Sequence, residues 1–449
     1  MPAWRRAAFD ELRTWISNPP APRAVLLSGA RQVGKTTLIL QVIYSLLDAG
    51  VDPNSILYTT FDHPILKIVG LENVLNAWQE LRPKTDGIEY LLIDEIQNVP
   101  DWQVWLKHQV DFQKARRIAV TGSSLPLVTE GLESGVGRWH TIRLSTLSFR
   151  EYLQIKHIDI SVPQNIARSL VPLFDATAGE LLQLAEFGQG LVAHFHSYLL
   201  RGGFPQTSLT EDISTAQKLL REDIVDKVLK RDMTALFGVR RVLELEKTFV
   251  YLCMHDGGIL DLAKLCENLE LKKATVTKFI DYLEACNLIY KLAPYGYGKE
   301  VLRAKYKIYL ADAAISGSVL LKGKSLIEDQ VRLGSAVETA LFKHVFTRYY
   351  QVSVGFSYWR KKDSEVDIIA EVGGDIIPFE VKYKTGPIDS RDLRGLKLLC
   401  EHKRISRGYI VTGDYSEFGR IIIKGQKSAT PILKVPAPLA CYLLSQSEV

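Results

Sequence analysis

The sequence predicts an α/β fold with two α/β units and helical segments between them. Two observations support this prediction. Between residues 21 and 150, short apolar runs alternate with helical stretches, which is typical of a parallel sheet covered by helices. Between residues 323 and 449, the predicted order is helix, three strands, helix, strand. The strands predicted in the first unit are 24–28, 55–60, 88–93, 117–122 and 140–144.

Length and composition describe an ordinary globular chain. Its 449 residues suggest about three domains at roughly 150 residues each. The net charge of +5 permits contact with nucleic acid without requiring it. The 5 cysteines show no CxxC spacing, so we expect reduced thiols in a cytoplasmic protein. No apolar run approaches the length of about 18 residues that a membrane span needs, so we expect no membrane partner.

A glycine-rich octapeptide lies between the first predicted strand and an apolar-rich helix. It fits the pattern GxxxxGK[ST], whose backbone N–H groups surround a phosphate. We expect Lys35 to reach the β- and γ-phosphate oxygens and the Thr36 hydroxyl to bind Mg²⁺. The predicted binding residues are Gly29, Ala30, Arg31, Gln32, Val33, Gly34, Lys35, Thr36 and Thr37.

Two carboxylates follow the third predicted strand. We expect Asp94 to bind Mg²⁺ and Glu95 to polarise the attacking water. This Asp-Glu pair favours ATP hydrolysis over a kinase or a GTPase, and the chain has no Asn-Lys-x-Asp guanine signature. Ser123 ends the fourth strand and is our candidate sensor of the γ-phosphate, with a plain strand-to-loop turn as the alternative.

Three helices and a β-hairpin predict a winged helix-turn-helix in the middle of the chain. The predicted helices are 242–255, 259–269 and 274–286, and the predicted strands are 288–292 and 305–310. The start of the third helix carries Lys272, Lys273 and Lys278, which would meet DNA in a recognition helix. The alternative is a module that contacts proteins and whose lysines are solvated.

The C-terminal unit carries a second group of carboxylates. Glu338 lies in a predicted helix, Asp367 in the second strand, and Glu380 and Lys382 in the third strand. Together they form the skeleton of a PD-(D/E)XK nuclease, in which carboxylates bind Mg²⁺ or Mn²⁺ and activate a water. Lys382 would position or activate that water. Cleavage and a silent nuclease-like fold both remain open.

The chain resembles a prokaryotic AAA+ ATPase family that couples an AAA+ module to a C-terminal domain of unknown function. That domain contains a winged helix and a PD-(D/E)XK-like fold. The motifs that carry the resemblance are residues 28–37, 93–102, 121–124, 137–138, 147–152, 202–205 and 309–312.

The resemblance implies a domain order and further site residues. It places an AAA+ core at 1–158, a helical lid at 159–235, the winged helix at 236–322 and the nuclease-like domain at 323–449. It also implies a homo-oligomeric ring, such as a hexamer, with nucleotide sites between subunits. Arg138 would then be an arginine finger acting in trans, and Arg201 a second sensor from the lid.

Two functions follow from these observations. The first is an ATP-driven machine that binds or processes DNA, including branched or forked DNA. The second is a nucleotide-dependent switch that scaffolds proteins and has no nuclease activity. DNA-stimulated ATP hydrolysis would distinguish the first from the second.

Overall fold

The computed structural model describes residues 2–82, 87–123, 137–160, 169–296, 305–384, 386–389, 391–425 and 429–445. Ser124 of the motif at 121–124, and residues 297–304 between the predicted strands 288–292 and 305–310, lie outside these residues. The chain divides into two compact units, Met1–Ser145 with Ala285–Asn287, and Thr146–Glu284 with Leu288–Val449. Within the described ranges, no helix is both long enough and apolar enough to cross a membrane.

The first unit is a five-stranded parallel sheet with helices. Its helices are α1 (Ala8–Ser17), α2 (Lys35–Asp48), α3 (Pro64–Val69), α4 (Leu71–Leu81) and α5 (Trp102–Phe112). Its strands are β1 (Ala24–Ser28), β2 (Ile56–Thr60), β3 (Glu89–Asp94), β4 (Arg116–Gly122) and β5 (Trp139–Arg143). All five predicted strands are confirmed, and each boundary differs by at most one residue from the prediction.

The strand order β2-β3-β4-β1-β5 brings distant segments to one edge of this sheet. Every neighbouring pair is parallel, so all carboxyl ends point to the same side. Ligands of such sheets bind beyond the carboxyl ends of the strands. The loop after β1, Asp94 at the end of β3 and Ser123 after β4 therefore share that edge.

The second unit begins with a mainly helical region, in agreement with the helical segments predicted between the two α/β units. It contains α6 (Phe149–Ile155), α7 (Ala178–Arg201), α8 (Pro205–Leu209), α9 (Ile213–Leu219), the π-helical segments Leu220–Asp226 and Val228–Asp232, and α10 (Met233–Phe237). The three predicted helices and the hairpin follow as α11 (Val242–Met254), α12 (Leu262–Leu269), α13 (Lys273–Ala285), β7 (Ile289–Pro294) and β8 (Lys307–Leu310). A two-residue strand that was not predicted, β6 (Gly258–Ile259), lies between α11 and α12.

The C-terminal part has the predicted order of helix, three strands, helix and strand. A short helix, α14 (Ala314–Val319), precedes them. The six elements are α15 (Gln330–Tyr349), β9 (Ser353–Lys361), β10 (Ser364–Val372), β11 (Asp375–Lys382), α16 (Arg394–His402) and β12 (Gly408–Thr412). Three elements that the sequence reading did not predict follow, namely β13 (Gly419–Lys424), β14 (Ala429–Pro436) and α17 (Ala437–Leu444).

The hairpin and the C-terminal strands form one sheet, in the order β13-β14-β12-β11-β10-β9-β7-β8-β6. Strands β9, β10 and β11 are antiparallel, whereas β11 and β12 are parallel. The hairpin joins them because β7 pairs in parallel with β9, at Ala293 with Ser357 and at Pro294 with Tyr358. The sheet thus runs without a break across the domain boundary that we expect at 322–323.

A buried ion pair lies where several segments of the second unit meet. The side chains of Lys343, in α15, and Asp312, after β8, are 2% and 1% exposed, and Lys343 Nζ lies 3.5 Å from Asp312 Oδ2. Lys343 Nζ also donates to Thr146 Oγ1 at 3.0 Å and to the Leu147 carbonyl at 2.9 Å. Asp312 Oδ2 accepts from Thr146 Oγ1 at 2.6 Å and from the Gly203 amide at 3.0 Å. Hydrogen bonds therefore compensate both buried charges.

Two glycines leave the space that this ion pair needs. A Cβ atom on Gly202, whose φ is +77°, would lie 2.6 Å from Asp312 Oδ1. A Cβ atom on Gly203 would lie 2.4 Å from the Leu147 carbonyl oxygen. The double glycine of the motif at 202–205 is therefore explained by close packing around Asp312.

Replacing Lys343 by methionine should destabilise the second unit, because the Asp312 carboxylate would stay buried without its cation. We expect a loss of about 3–5 kcal/mol in the free energy of unfolding. Urea titration with hydrogen-exchange mass spectrometry of α15 peptides measures this loss. Adding Asp312→Asn should recover part of the stability, since neither charge then remains.

The exposed Lys424→Met variant is the matched control for this prediction. It should leave the urea midpoint of α15 unchanged. Equal midpoints for Lys343→Met and Lys424→Met would contradict a structural role of the buried pair.

Candidate nucleotide site and carboxylate centre

The loop between β1 and α2 is shaped by its backbone. Gln32 and Gly34 have φ of 59° and 99°, in the left-handed region. A loop with such residues can turn several N–H groups toward one point, which is how backbone nests hold phosphate. Gly29 is required for another reason, since a Cβ atom there would lie 2.1 Å from the Leu144 carbonyl oxygen.

Lys35 lies folded against the same loop. Its side chain is buried, and its Nζ donates to the carbonyls of Gly29 and Ala30 at 2.9 and 2.8 Å. The ammonium is therefore held beside the loop amides, and it adds positive charge where the sequence predicts phosphate.

Asp94 joins the end of β3 to this loop. Its Oδ2 accepts from Thr36 Oγ1 at 2.7 Å, and its Oδ1 accepts from the Thr121 hydroxyl. A hydroxyl and a carboxylate are oxygen ligands of the kind that Mg²⁺ prefers. The two predicted magnesium ligands are thus adjacent, and the donor set fits that ion.

Glu95 and Ser123 also come together. Ser123 Oγ donates to Glu95 Oε2 at 3.4 Å. Gln97 Nε2 donates to the same carboxylate and, at 3.1 Å, to Ser123 Oγ. Glu95 has a φ of 56°, which is unfavourable for a residue with a long side chain. The turn after β3 thus combines an unfavourable backbone conformation at Glu95 with a hydrogen-bonded carboxylate.

Both predicted arginines bond within their own unit. Arg138 Nε donates to the Asp111 carboxylate oxygens at 3.1 and 3.0 Å. Arg201, at the end of α7 in the second unit, donates from Nε to the Thr210 carbonyl at 3.0 Å and from Nη1 to Ser197 Oγ. Their roles as finger and sensor stay predictions.

The carboxylates of the C-terminal sheet converge on a lysine. Lys307 is the first residue of β8, and its side chain is 2% exposed. Its Nζ lies 2.8 Å from Glu338 Oε1, 2.8 Å from Glu365 Oε1 and 2.9 Å from Asp367 Oδ1. The Tyr309 hydroxyl adds a donor to Glu338 Oε1 at 2.7 Å.

Glu380 and Lys382 lie beside this group. Lys382 Nζ is 2.6 Å from Glu380 Oε1, and the Val381 amide donates to Asp367 Oδ2 at 2.9 Å. Glu380 Oε2 is buried and has no hydrogen-bond partner. The structure thus brings all four predicted residues of the C-terminal unit to one place.

Burial and neighbouring charges shift the pKa values of these groups. Burial, together with the charge of Asp367, raises the pKa of Glu338 to about 7 and raises that of Glu380 well above its usual value. Burial opposes ionisation of Asp367, but Lys307 and Lys382 outweigh it and hold its pKa below the usual value. Burial also opposes the Lys307 ammonium, but Asp367 and Glu338 outweigh it and raise its pKa well above the usual value.

A divalent metal does not fit Glu338, Asp367 and Glu380 in this arrangement. Two of these three carboxylates already face the Lys307 ammonium, and the third faces Lys382. Among the described residues, no group of three or more His, Cys, Asp or Glu side chains is placed to hold a metal ion. The expectation of Mg²⁺ or Mn²⁺ at this centre therefore conflicts with the lysine that fills it.

The sequence reading missed several residues of these sites. Lys307 is a charged residue in the otherwise uncharged strand β8, which is a signal that could have been followed. Gln97 and Thr121 lie within the motifs at 93–102 and 121–124, but nothing in those motifs distinguishes them as site residues. Arg6 had no signal, yet its Nη1 donates to the Val33 carbonyl of the phosphate loop at 2.9 Å.

Comparison with protein families agrees with the geometry of the first unit. Residues 21–153 match the family model described as an AAA domain. Residues 192–325 and 333–432 match two domains of unknown function, DUF8612 and DUF4143. Over residues 21–153 the chain is therefore similar to AAA domains. The other two descriptions carry no function, so the winged helix and the nuclease-like fold stay predictions.

Relatives in distant organisms match most of the chain. An uncharacterized protein of Haemophilus influenzae is 26% identical over 406 residues, covering 87% of this chain and 89% of that protein. Uncharacterized proteins of Methanocaldococcus jannaschii and Mycobacterium tuberculosis are each 26% identical, covering 89% and 90% of this chain and 82% and 80% of those proteins.

Solved structures resemble the chain weakly. AMPPCP-bound DnaA from Aquifex aeolicus gives a TM-score of 0.28 at 13% identity, covering 62% of this chain and 86% of that chain. The DNA clamp loader delta protein of Bacillus subtilis gives 0.27 at 10% identity, covering 74% and 99%. No function follows from likeness at these TM-scores.

Replacing Lys35 by alanine should weaken ATP binding, because the charge held beside the loop is lost. We expect a dissociation constant about 100-fold higher, as for the loss of a few charge-assisted hydrogen bonds. Equilibrium titration with a fluorescent ATP analogue measures it. The exposed Lys114→Ala variant, in the same unit, is the control and should bind normally. Unchanged affinity in Lys35→Ala would move the nucleotide site elsewhere.

Proposed function

We propose that this protein is an ATPase whose first unit hydrolyses ATP and whose second unit contacts DNA, including branched or forked DNA. The observation that carries the ATPase proposal is the Thr36–Asp94 contact of 2.7 Å beside the buried Lys35. It supports a preformed site for a triphosphate with its magnesium ion. Hydrolysis and DNA contact are separate parts of the proposal and have separate tests.

The chain's own groups have distinct parts in ATP binding. Backbone N–H groups of the loop 29–37 hold the phosphates, and Lys35 reaches the β- and γ-phosphate oxygens. Thr36 and Asp94 hold Mg²⁺, which when bound neutralises phosphate charge as a Lewis acid. Thr121 orients Asp94 through its hydrogen bond.

Glu95 is the proposed general base. Gln97 and Ser123 restrain its carboxylate, so it is oriented before substrate arrives. A carboxylate placed in this way accepts a proton from water as the water attacks the γ-phosphorus. Ser123 at the end of β4 would sense the γ-phosphate by its hydroxyl.

Arg138 has a proposed role in a ring of identical subunits. Its guanidinium would leave Asp111 and stabilise charge on the γ-phosphate of a neighbouring subunit. Arg201 would act from the lid of its own chain. Both arginines are held by hydrogen bonds, which must be exchanged before either can act.

A cleft beside α13 supports contact with DNA. It has a volume of about 270 Å³ and mixes aromatic with basic side chains. Its lining includes Phe237, Arg240, Arg241, Thr275, Lys278 and Tyr282. The exposed Lys272 and Lys273 precede it at the helix start. Basic groups at such a helix start neutralise phosphates, and aromatic rings can stack on bases.

One observation favours the alternative of a protein-scaffolding switch. In the second unit, β7 of the hairpin pairs with β9, so one edge of the proposed wing is built into the sheet. A hairpin fixed in this way is less free to enter a DNA groove. Scaffolding predicts ATP binding and hydrolysis that no form of DNA changes.

Replacing Glu95 by glutamine should separate binding from hydrolysis. The amide keeps the shape and hydrogen bonds of the side chain but cannot accept the proton. We expect ATP affinity to stay the same while turnover falls by about 10²–10⁴-fold. Single-turnover hydrolysis alongside nucleotide titration measures both. Near-normal turnover in this variant would exclude Glu95 as the base.

DNA should stimulate ATP hydrolysis, and lysines near the cleft should be needed for this. Replacing Lys272, Lys273 and Lys278 by alanine should weaken DNA binding and lower the salt dependence of log K by roughly three units at most. Steady-state ATPase with linear, single-stranded and branched DNA, and binding over a salt series, measure both effects.

A charge-matched triple variant is the control for this prediction. It replaces three exposed lysines outside the sequence segments that line the cleft, namely Lys114, Lys324 and Lys424. Alanine at all three positions should leave the salt dependence of DNA binding unchanged. An ATPase rate indifferent to every DNA form, with no binding at low salt, would favour the scaffolding switch.

A further inference from the structure

The Lys307 side chain fills the centre of the C-terminal carboxylate group. An ammonium has three N–H donors and no acceptor. Three carboxylate oxygens, from Glu338, Glu365 and Asp367, lie between 2.8 and 2.9 Å from its Nζ. The number of acceptors thus equals the number of donors, so this lysine needs no further partner.

Burial makes the positive charge of Lys307 energetically costly unless other groups compensate it. Lys307 is only 2% exposed, and a buried ammonium is tolerated where anions and hydrogen bonds compensate it. Its partners come from α15 and β10, about 30 to 60 residues further along the chain. The contact therefore fastens the hairpin strand β8 to two elements of the C-terminal part.

Oxygens of Asp367 and Glu338 also accept hydrogen bonds from groups other than Lys307. Asp367 Oδ2 accepts from the Val381 amide, and Glu338 Oε1 also accepts from Tyr309. A divalent ion bound to these oxygens at about 2.0–2.6 Å would lie against the ammonium and repel it. Glu380 Oε2 is buried without a partner, but it is one oxygen and cannot form a site alone.

We propose that the Lys307 ammonium takes the place of a divalent metal in this carboxylate centre and fastens β8 to α15 and β10. The carboxylate centre then has a structural role, and the second unit contacts its partners without metal-dependent cleavage of phosphodiesters. This inference does not rest on the proposed ATPase or on DNA binding. It goes beyond both by assigning a role to a buried lysine and by excluding a chemistry.

Manganese binding to the full-length protein tests the proposal. Free Mn²⁺ is measured by its electron paramagnetic resonance signal, with chelator-treated protein and without nucleotide. We expect the wild type to hold no Mn²⁺ that depends on Asp367. Lys307→Ala should gain one ion per chain, with a dissociation constant at least about tenfold below the highest Mn²⁺ concentration at which the wild type shows no such ion. Lys307→Ala with Asp367→Asn should lose that ion again.

Lys305→Ala is the matched control, since Lys305 is exposed, lies two residues away and pairs with Asp261. It should bind manganese as the wild type does. A wild-type ion that disappears in Asp367→Asn would overturn the proposal, and so would a folded Lys307→Ala variant that gains no ion.

The wild-type titration decides the matter even if Lys307→Ala fails to fold. In that case two results for the wild type support the ammonium as the resident cation. The protein holds no ion that depends on Asp367, and its melting temperature does not change with Mn²⁺ or with chelator. A melting temperature that rises with Mn²⁺ in the wild type but not in Asp367→Asn contradicts it. Neither result depends on ATP hydrolysis or on DNA, so failure here is distinguishable from failure of the proposed function.

Discussion

The buried ion pair between Asp312 and Lys343 is the contact on which the second unit depends. It ties the segment that begins this unit, the glycine turn after α7, the end of β8 and helix α15. An ion pair in this position contributes little if its hydrogen bonds are incomplete, because desolvation costs several kcal/mol per ion. Here backbone and hydroxyl groups supply those hydrogen bonds. The sequence motifs that contribute these groups lie far apart in the chain, but all of them stabilise the same ion pair.

Asp94 and Asp367 are both carboxylates that can face a cation, but the cation expected at each of them is different. Within the described chain, the side-chain hydrogen-bond partners of Asp94 are the hydroxyls of Thr36 and Thr121, and neither of them carries a positive charge. Asp367 instead faces Lys307, a cation that the fold itself supplies. Two similar carboxylates therefore have different expected ligands, and the difference lies in a neighbour contributed by another strand.

The sequence was sufficient to predict those features whose residues are close together in the chain. The strand, glycine loop and helix around Lys35 are contiguous, and β3 ends at Asp94, one residue beyond the predicted end. The order of elements between 323 and 412 also followed from periodicity.

Other features depended on contacts that no local pattern records. Lys307 meets Asp367 across 60 residues of chain, so only the folded sheet reveals the pair. The pairing of β7 with β9, and the extension by β13 and β14, are choices of strand neighbour rather than of strand position. The role of Gly202 likewise appears only once Asp312 is placed against it.

The central claim is that nucleotide in the first unit and DNA on the second unit affect each other. Thermodynamic coupling makes this measurable as the ratio of DNA affinities in two nucleotide states. Affinity for branched DNA should therefore be measured with the Glu95→Gln variant saturated with ATP and again without nucleotide. We predict a difference of about 5- to 150-fold in DNA affinity between the two nucleotide states. Equal affinities would contradict it.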